Sequence, residues 1–297
     1  MVNEIRCSGL FKDLTMRVSE SNFKMYNSYA LVTGAASGMG RLYCLRLAQM
    51  GYNLLMVDIN AAGLEQTAAE VRNQVGLYDD FRSAYVPKFD IKELVIDLSK
   101  QSAASEVAKT AAGCNVEVLI NNAGIMYCQK LLDTTERSLS LIMMLHMFTP
   151  LMICREIVPG MIERGRGYVL NISSLGAWMD WPGIGMYGNT KRFVKGFSRQ
   201  LRIETGNTGV SVTNAYFGAV DTPLIPLPPK YRRLARFLRI MIPAEVAVDS
   251  ALKATFKRRK GVMPGFVNHL FKPVISVLPD CVLAWMLKLC APLLMKV

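Results

Sequence analysis

Short, almost wholly apolar runs alternate with segments of helical periodicity through most of this chain of 297 residues. YALVT (29–33), NLLMVD (53–58), ELVIDL (93–98), VEVLINNAG (116–124), GYVLNIS (167–173) and VSVTNAYFG (210–218) read as six strands. Helices are predicted over 40–50, 61–75, 101–112, about 136–164 and 187–205, with Gly51 ending the first. Strands apolar on both faces and separated by helices imply right-handed β-α-β crossovers. The expected fold class is therefore α/β, with a single doubly wound parallel sheet covered by helices on both faces. The pattern shows no internal repeat and no linker, so one domain is expected over 29–270. Residues 1–28 form an N-terminal extension and 271–297 an apolar, helical C-terminal one. Residues 76–90 read as an extra loop or hairpin.

Composition narrows the picture. Hydrophobic residues make up 51% and charged residues 20%, which excludes a disordered chain. The seven cysteines are scattered with no C-x-x-C pair, which argues against a zinc site and a disulfide framework; no metal is expected. Reduced thiols and an N-terminus without an apolar run point to a cytoplasmic protein. Residues 10–20 are either a short amphipathic helix or an ordinary terminal extension. The last 27 residues are greasy but broken by Pro273, Pro279, Asp280, Lys288 and Pro292, so no spanning helix is predicted. Residues 201–297 hold 14 Lys and Arg against 5 Asp and Glu, a net +9 of the chain's +12. Such a segment beside apolar helices suits an anionic membrane surface or an acidic substrate, or is simply a solvated face. Peripheral membrane contact is one reading of it. Nucleic acid is not expected, since no aromatic-interleaved basic stripe is present.

The first strand runs into Thr33-Gly34-Ala35-Ala36-Ser37-Gly38-Met39-Gly40 and then a helix. Gly34 permits the turn, Gly38 lets backbone N–H groups approach a pyrophosphate, and Gly40 lets the helix pack close to the sheet. Ser37 and Met39 complete the candidate dinucleotide loop. Asp58 ends the second strand, 18 residues after Gly40. A carboxylate there accepts the adenosine ribose hydroxyls and repels a 2′-phosphate, and no cation follows it, so NAD(H) is expected over NADP(H). The alternative is a solvent-facing strand-end aspartate. Asp97, followed by Leu98, is placed either to bond the adenine amino group or to cap the next helix.

Four further elements follow in order. Asn121-Asn122-Ala123-Gly124 closes the fourth strand, and Ser174 follows the fifth. Tyr187-Gly188-Asn189-Thr190-Lys191 opens the next helix, its Tyr 13 residues after Ser174. Phe217-Gly218-Ala219-Val220-Asp221-Thr222 follows the sixth strand. With the 33–40 turn, these resemble the short-chain dehydrogenase/reductase family over roughly 29–270. The resemblance implies a Rossmann-type fold and an NAD(P)(H)-dependent oxidoreductase interconverting a secondary alcohol and a ketone. It implies Tyr187 as acid/base, Lys191 as its electrostatic partner and ribose ligand, and Ser174 as the orienting hydroxyl. It further implies cofactor contacts from Asn122, Ala123, Gly124, Val220 and Thr222. The chemistry accounts for these types. A phenol ordinarily has a pKa of about 10, and Lys191, one helical turn on, together with the charge of the oxidised nicotinamide, is expected to lower it.

Two positions depart from the family pattern. Where the family has a relay asparagine 28 residues before the serine, this chain has His146. It either joins the proton relay or is a core histidine bonded to backbone. Phe217 stands where a proline usually precedes the glycine. Trp178, Met179, Trp181 and Met186 lie between the candidate Ser and Tyr. Residues 223–243 alternate prolines, arginines and apolar side chains. These form either an apolar wall with a basic lid for a hydrophobic substrate (steroid, retinoid, acyl or sphingoid-like), or part of the core or a subunit contact. The stretch 155–173 is similar to the long-chain 3-oxoacyl reductase and 17β-hydroxysteroid dehydrogenase branch. The 187–205 helix is a candidate homodimer or homotetramer contact. A non-catalytic dinucleotide-binding sensor or scaffold at a membrane surface is the competing function.

Overall fold

The computed structural model describes residues 27–76, 89–178, 183–224, 228–285 and 288. The expected features at 10–20, most of 76–90, Met179, Trp181 and the last nine residues lie outside these. Strands β1 (Ser28–Thr33), β2 (Asn53–Asp58), β3 (Ile91–Val95), β4 (Asn115–Asn121), β5 (Gly167–Ser174), β6 (Val210–Phe217) and β9 (Gly261–Val262) form one sheet, ordered β3-β2-β1-β4-β5-β6-β9. Every pairing in it is parallel. Two short strands, β7 (Ala219–Asp221) and β8 (Met241–Pro243), pair separately beyond β6. This is the Rossmann-type doubly wound sheet.

Strand β1 shows why its sequence is apolar throughout. Ala30 and Val32 pack on one face with helices α1 (Gly38–Gln49) and α2 (Ala61–Gly76). Leu31, between them, packs on the other face with α3 (Ala103–Ala111). Successive side chains of a strand point to opposite faces, and here both faces are covered. Complete burial of one such Leu or Val contributes roughly 1.5–3 kcal/mol.

The long helix expected at 136–164 is present but not uniform. It runs as α4 (Glu136–Met143), a π-helical turn (Met144–Phe148) and α5 (Thr149–Glu163). Pro150 has no N–H to donate to the carbonyl of His146, four residues back, so the ladder widens there. By length and composition Glu136–Glu163 could cross a membrane. Its inner face, including Ile142, Ile153, Cys154, Val158 and Met161, is nevertheless buried within the protein.

Helices α6 (Gly185–Glu204), α7 (Pro229–Phe237), α8 (Ala244–Phe256) and α9 (Phe266–Ile275) complete the described fold. Helix α9 runs through the expected domain boundary at 270. It belongs to the fold because Asn268 is buried and its side chain approaches Gly218. The third strand lies two to three residues earlier than ELVIDL. β3 pairs Ile91 through Val95 with Leu54 through Asp58, and where β2 ends the pairing ends. Ile96 and Leu98 then turn inward to pack in the core.

Candidate active site

The crevice opens at the carboxyl ends of β1 and β4, where the sheet order reverses direction. Gly34 and Gly38 take left-handed φ values of 69° and 52°. Gly34 and Ala35 donate to the carbonyl of Val57. Helix α1 then packs so close to the turn that a Cβ at Gly40 would lie 1.8 Å from the Gly34 oxygen. Only glycine fits there. Thr33 Oγ1 accepts from the N–H groups of Asn122 (3.0 Å) and Ala123 (3.1 Å), and Asn122 Nδ2 donates to the Thr33 carbonyl at 3.0 Å. The ends of β1 and β4 are thereby fastened into one floor.

Ser37 is exposed at the N-cap position of α1 with no side-chain capping bond, and the first N–H groups of the helix face outward as a ready anion cradle. Gly38 faces Thr222: a Cβ there would sit 3.9 Å from the threonine Cβ. Met39, Asn122, Gly124, Val220 and Thr222 line a single cavity of about 270 Å3 together with Ser174, Tyr187 and Lys191. Elements distant in sequence thus converge as the spacing implied, and the cradle of N–H groups and glycines fits a dinucleotide pyrophosphate.

Asp58 and Asp97 divide differently. Asp58 Oδ2 accepts from Ala36 N–H and Oδ1 from Asn60 N–H, both at 3.0 Å. Its carboxylate braces the glycine turn and stays half-exposed at the crevice edge. Asp97 Oδ1 accepts from both the N–H and the hydroxyl of Ser99, at 2.9 and 2.6 Å. The Ser99 hydroxyl bond, then its N–H, hold this carboxyl below the usual carboxylate range. Asp97 therefore closes the turn at 97–100, ahead of α3, whose N-cap residue is Ser102. Leu98 is buried, and its carbonyl accepts from Thr149 Oγ1 at 2.7 Å.

Tyr187 and Lys191 stand one turn apart on α6 and both line the cavity. Burial pushes the Tyr187 phenol up, opposed by a hydrogen bond with Ser174. Lys191 Nζ donates to the Ile172 carbonyl at 3.0 Å and lies 5.6 Å from the centre of the tyrosine ring. A backbone acceptor thus holds the ammonium over the ring face. Desolvation also brings Lys191 itself down to about 8. The Ser174 hydroxyl donates to the Phe217 carbonyl at 3.2 Å and accepts from Gly176 N–H. Phe217, the residue in place of the usual proline, is thus a backbone partner of the candidate serine.

His146 does not offer the free ring nitrogen that a relay needs. Its Nε2 accepts from Ile125 N–H at 3.0 Å, and its Nδ1 lies 2.8 Å from Thr190 Oγ1, whose own proton goes to the Tyr187 carbonyl. Burial, then the charge of Lys191, hold His146 well below its ordinary pKa. Its ring packs edge-on to Tyr187, with centroids 5.7 Å apart. Both nitrogens of a ring neutral near pH 7 are thus occupied, and the ring braces Tyr187 and the Gly124–Ile125 loop.

Several contributors carried no earlier assignment. Thr190 sits between the paired Tyr and Lys in YGNTK, which was its only signal. Asn121, Asn171 and Asn214 occupy one register line across β4, β5 and β6. Asn121 Nδ2 donates to Asn171 Oδ1 at 2.8 Å, and Asn171 and Asn214 both donate to Ser198 Oγ. Each is a polar side chain buried among apolar strand residues, where a polar group needs a partner. The network fixes the strand ends below Lys191.

Comparison with known proteins agrees with this geometry. A very-long-chain 3-oxoacyl-CoA reductase of Mycosarcoma maydis is 30% identical over 217 residues, covering 69% of this chain and 59% of that protein. A 17-beta-hydroxysteroid dehydrogenase type 3 of Danio rerio is 28% identical over 215 residues, covering 70% of this chain and 66% of that protein. The chain spans little more than half the length of two of the reductases it matches, 59% and 55%. Among solved structures, a 7β-hydroxysteroid dehydrogenase superposes with a TM-score of 0.75 at 23% identity, over 89% of this chain and 98% of that one. A short-chain dehydrogenase from Sphingobium yanoikuyae in complex with NADPH gives 0.69 at 22% identity, over 85% and 96%. The family model for short chain dehydrogenases matches residues 28–227, the stretch that holds the glycine turn, the fastened strand ends and the Ser–Tyr–Lys group, and the chain belongs to that family.

Proposed function

We propose that this protein is an NAD(H)-dependent oxidoreductase that interconverts a ketone and a secondary alcohol on a hydrophobic, acyl-chain substrate of the 3-oxoacyl thioester class. The observation that carries the reading is the convergence of Ser174, Tyr187 and Lys191 on one cavity beside the glycine turn. The apolar lining from Met39, Ile125, Ile184 and Leu224 suits an acyl chain, and the basic α7 suits the anionic carrier of a thioester.

The backbone N–H groups at the start of α1, with Asp58, Asn122 and Thr222, would hold the dinucleotide. When bound, it supplies or accepts the hydride. Ser174 Oγ turns from the Phe217 carbonyl to donate to the substrate oxygen and polarise it. Tyr187 moves a proton at Oη. Burial keeps the phenol protonated near neutrality, so it is poised to donate to the substrate oxygen in the reducing direction and must give up its proton first in the oxidising one. Lys191, fixed by Ile172, orients the pair. Asp58 places a carboxylate where a 2′-phosphate would have to sit, which favours NAD(H).

The same reading has the protein at a membrane surface through the exposed apolar side chains of α7 and α9, and assembling through α6. Its direct test is turnover of a panel of 3-oxoacyl thioesters, steroids and retinoids with NADH. Tyr187→Phe is expected to lower kcat by roughly 10²–10⁴ while NADH still binds. Tight NADH binding with no turnover of any substrate by the unaltered protein would overturn the enzyme reading in favour of a dinucleotide sensor.

A further inference from the structure

Trp178 lies four residues beyond Ser174, in the short 3-10 turn (Leu175–Trp178) that follows β5. Two ammonium groups converge on its indole. Lys195 Nζ of α6 and Lys272 Nζ of α9 each lie 4.5 Å from the ring centre. They are therefore no more than twice that distance apart. Tyr216 of β6 backs the indole, with centroids 4.6 Å apart. Both lysines are half-buried, as is the indole. Neither makes an ion pair with a carboxylate among the described residues. A third cation, Arg192, stands close by and donates to the Ala177 carbonyl.

Cation–π attraction explains one lysine on an indole. It does not explain two. Partly desolvated like charges repel more strongly than they would in water, and among the described residues no carboxylate pairs with either lysine to offset that repulsion. Burial, then the charges of Lys272 and Arg192, hold Lys195 below the ordinary lysine range. A group bearing two negative charges resolves the conflict, because it pairs with both ammoniums at once while the aromatic floor excludes water.

We propose that Lys195 and Lys272, clamped on Trp178, form a binding site for a phosphoryl group, separate from the glycine turn. Trp178 is not among the residues lining the central cavity, so this site is outside it. The phosphoryl group belongs either to the soluble carrier of a thioester substrate or to a lipid headgroup. The inference stands whether or not the protein proves to be a reductase, because its test reads binding alone.

The experiment is calorimetric titration of the full chain with sodium pyrophosphate, the nucleotide crevice being filled beforehand with excess NADH. A parallel arm measures co-sedimentation with phosphatidylcholine vesicles containing phosphatidic acid. The saturable part of either signal is expected to weaken roughly tenfold or more in Lys195→Gln/Lys272→Gln and to survive in Lys195→Arg/Lys272→Arg. Response in the pyrophosphate arm alone identifies a soluble ligand, and response to vesicles alone a lipid headgroup; both uphold the site. Three results overturn it: no saturable binding in either arm, equal binding by the glutamine variant, or equal loss in the glutamine and arginine variants. Sodium chloride at matched ionic strength reproducing the signal would overturn it as well.

Discussion

His146 Nδ1 lies 2.8 Å from Thr190 Oγ1, and through that bond the π-turn of the long helix grips the helix carrying Tyr187 and Lys191. The second ring nitrogen takes the Ile125 N–H, so the imidazole joins three segments in its neutral form. A group held neutral by burial makes stability depend on pH. Its folded pKa lies well below the ordinary 6.5. Above about 6.5 neither state binds the proton; below it the unfolded chain does and the native state does not. Stability is present above that pH and lost as the pH falls, by about 1.4 kcal/mol per pH unit from this residue. Urea unfolding at pH 7.5, 6 and 5 is expected to show that loss, and His146→Gln to be less stable at pH 7.5 but less acid-sensitive. Parallel pH slopes for the two proteins would count against a buried neutral ring.

The same histidine constrains its neighbour. A Cβ at Gly124 would stand 2.7 Å from His146 Nε2, inside contact distance. Gly124→Ala must displace either the imidazole or the loop that carries Ile125. The expected cost is about 1–3 kcal/mol, from overpacking and the strained Ile125–His146 bond. Denaturant midpoints measure it. An unchanged midpoint would show that the loop yields freely and that the grip is loose.

Asp58 has two tasks, and its replacement separates them. Its oxygens brace Ala36 and Asn60, and its charge faces the crevice. Asp58→Asn keeps an acceptor for one brace and removes the charge. NADH affinity is expected to fall roughly 10- to 100-fold, the worth of charge-assisted hydrogen bonds, while NADPH affinity rises as the repulsion disappears. Fluorescence titration with each reduced dinucleotide reads both. Equal affinity of the unaltered protein for NADH and NADPH would refute the cofactor assignment.

How much of this was legible in the chain follows from what hydrophobicity encodes. Apolar runs marked the buried strands β1, β2, β4, β5 and β6 well, because both faces of each are covered. They misplaced β3. Ile96 and Leu98 are buried after leaving the sheet, whereas the paired Lys92 and Glu93 sit on an edge strand. Apolarity reports burial and not pairing. The crevice was legible because glycines and a strand-end carboxylate have few other uses at that spacing. The role of His146 was not, since its two partners come from residues 125 and 190 and only the folded chain brings them together. Sequence places Lys191 one turn from Tyr187, but the Ile172 carbonyl decides where the ammonium points.

The outer surface offers the remaining test. On α7, Asp221 is bridged by Arg232 (2.5 Å) and Arg236 (3.1 Å), which anchors one side of the helix to β7. The other side presents Leu234 and Phe237, with Leu238 and Ile240 just beyond; Phe237 is 82% exposed. Apolar side chains bared beside arginines are arranged to enter an anionic bilayer, where inserting one phenylalanine contributes roughly 1.5–3 kcal/mol. The protein is expected to float with vesicles containing anionic lipid, less so at high salt, since surface charges are screened. Phe237→Ser should reduce the bound fraction roughly tenfold through the lost burial. Phe237 touches neither the Asp221 bridge nor the cavity lining, so this variant leaves the crevice intact. Failure to float at low salt, or flotation indifferent to both salt and Phe237, would show that this face of α7 meets something other than a membrane.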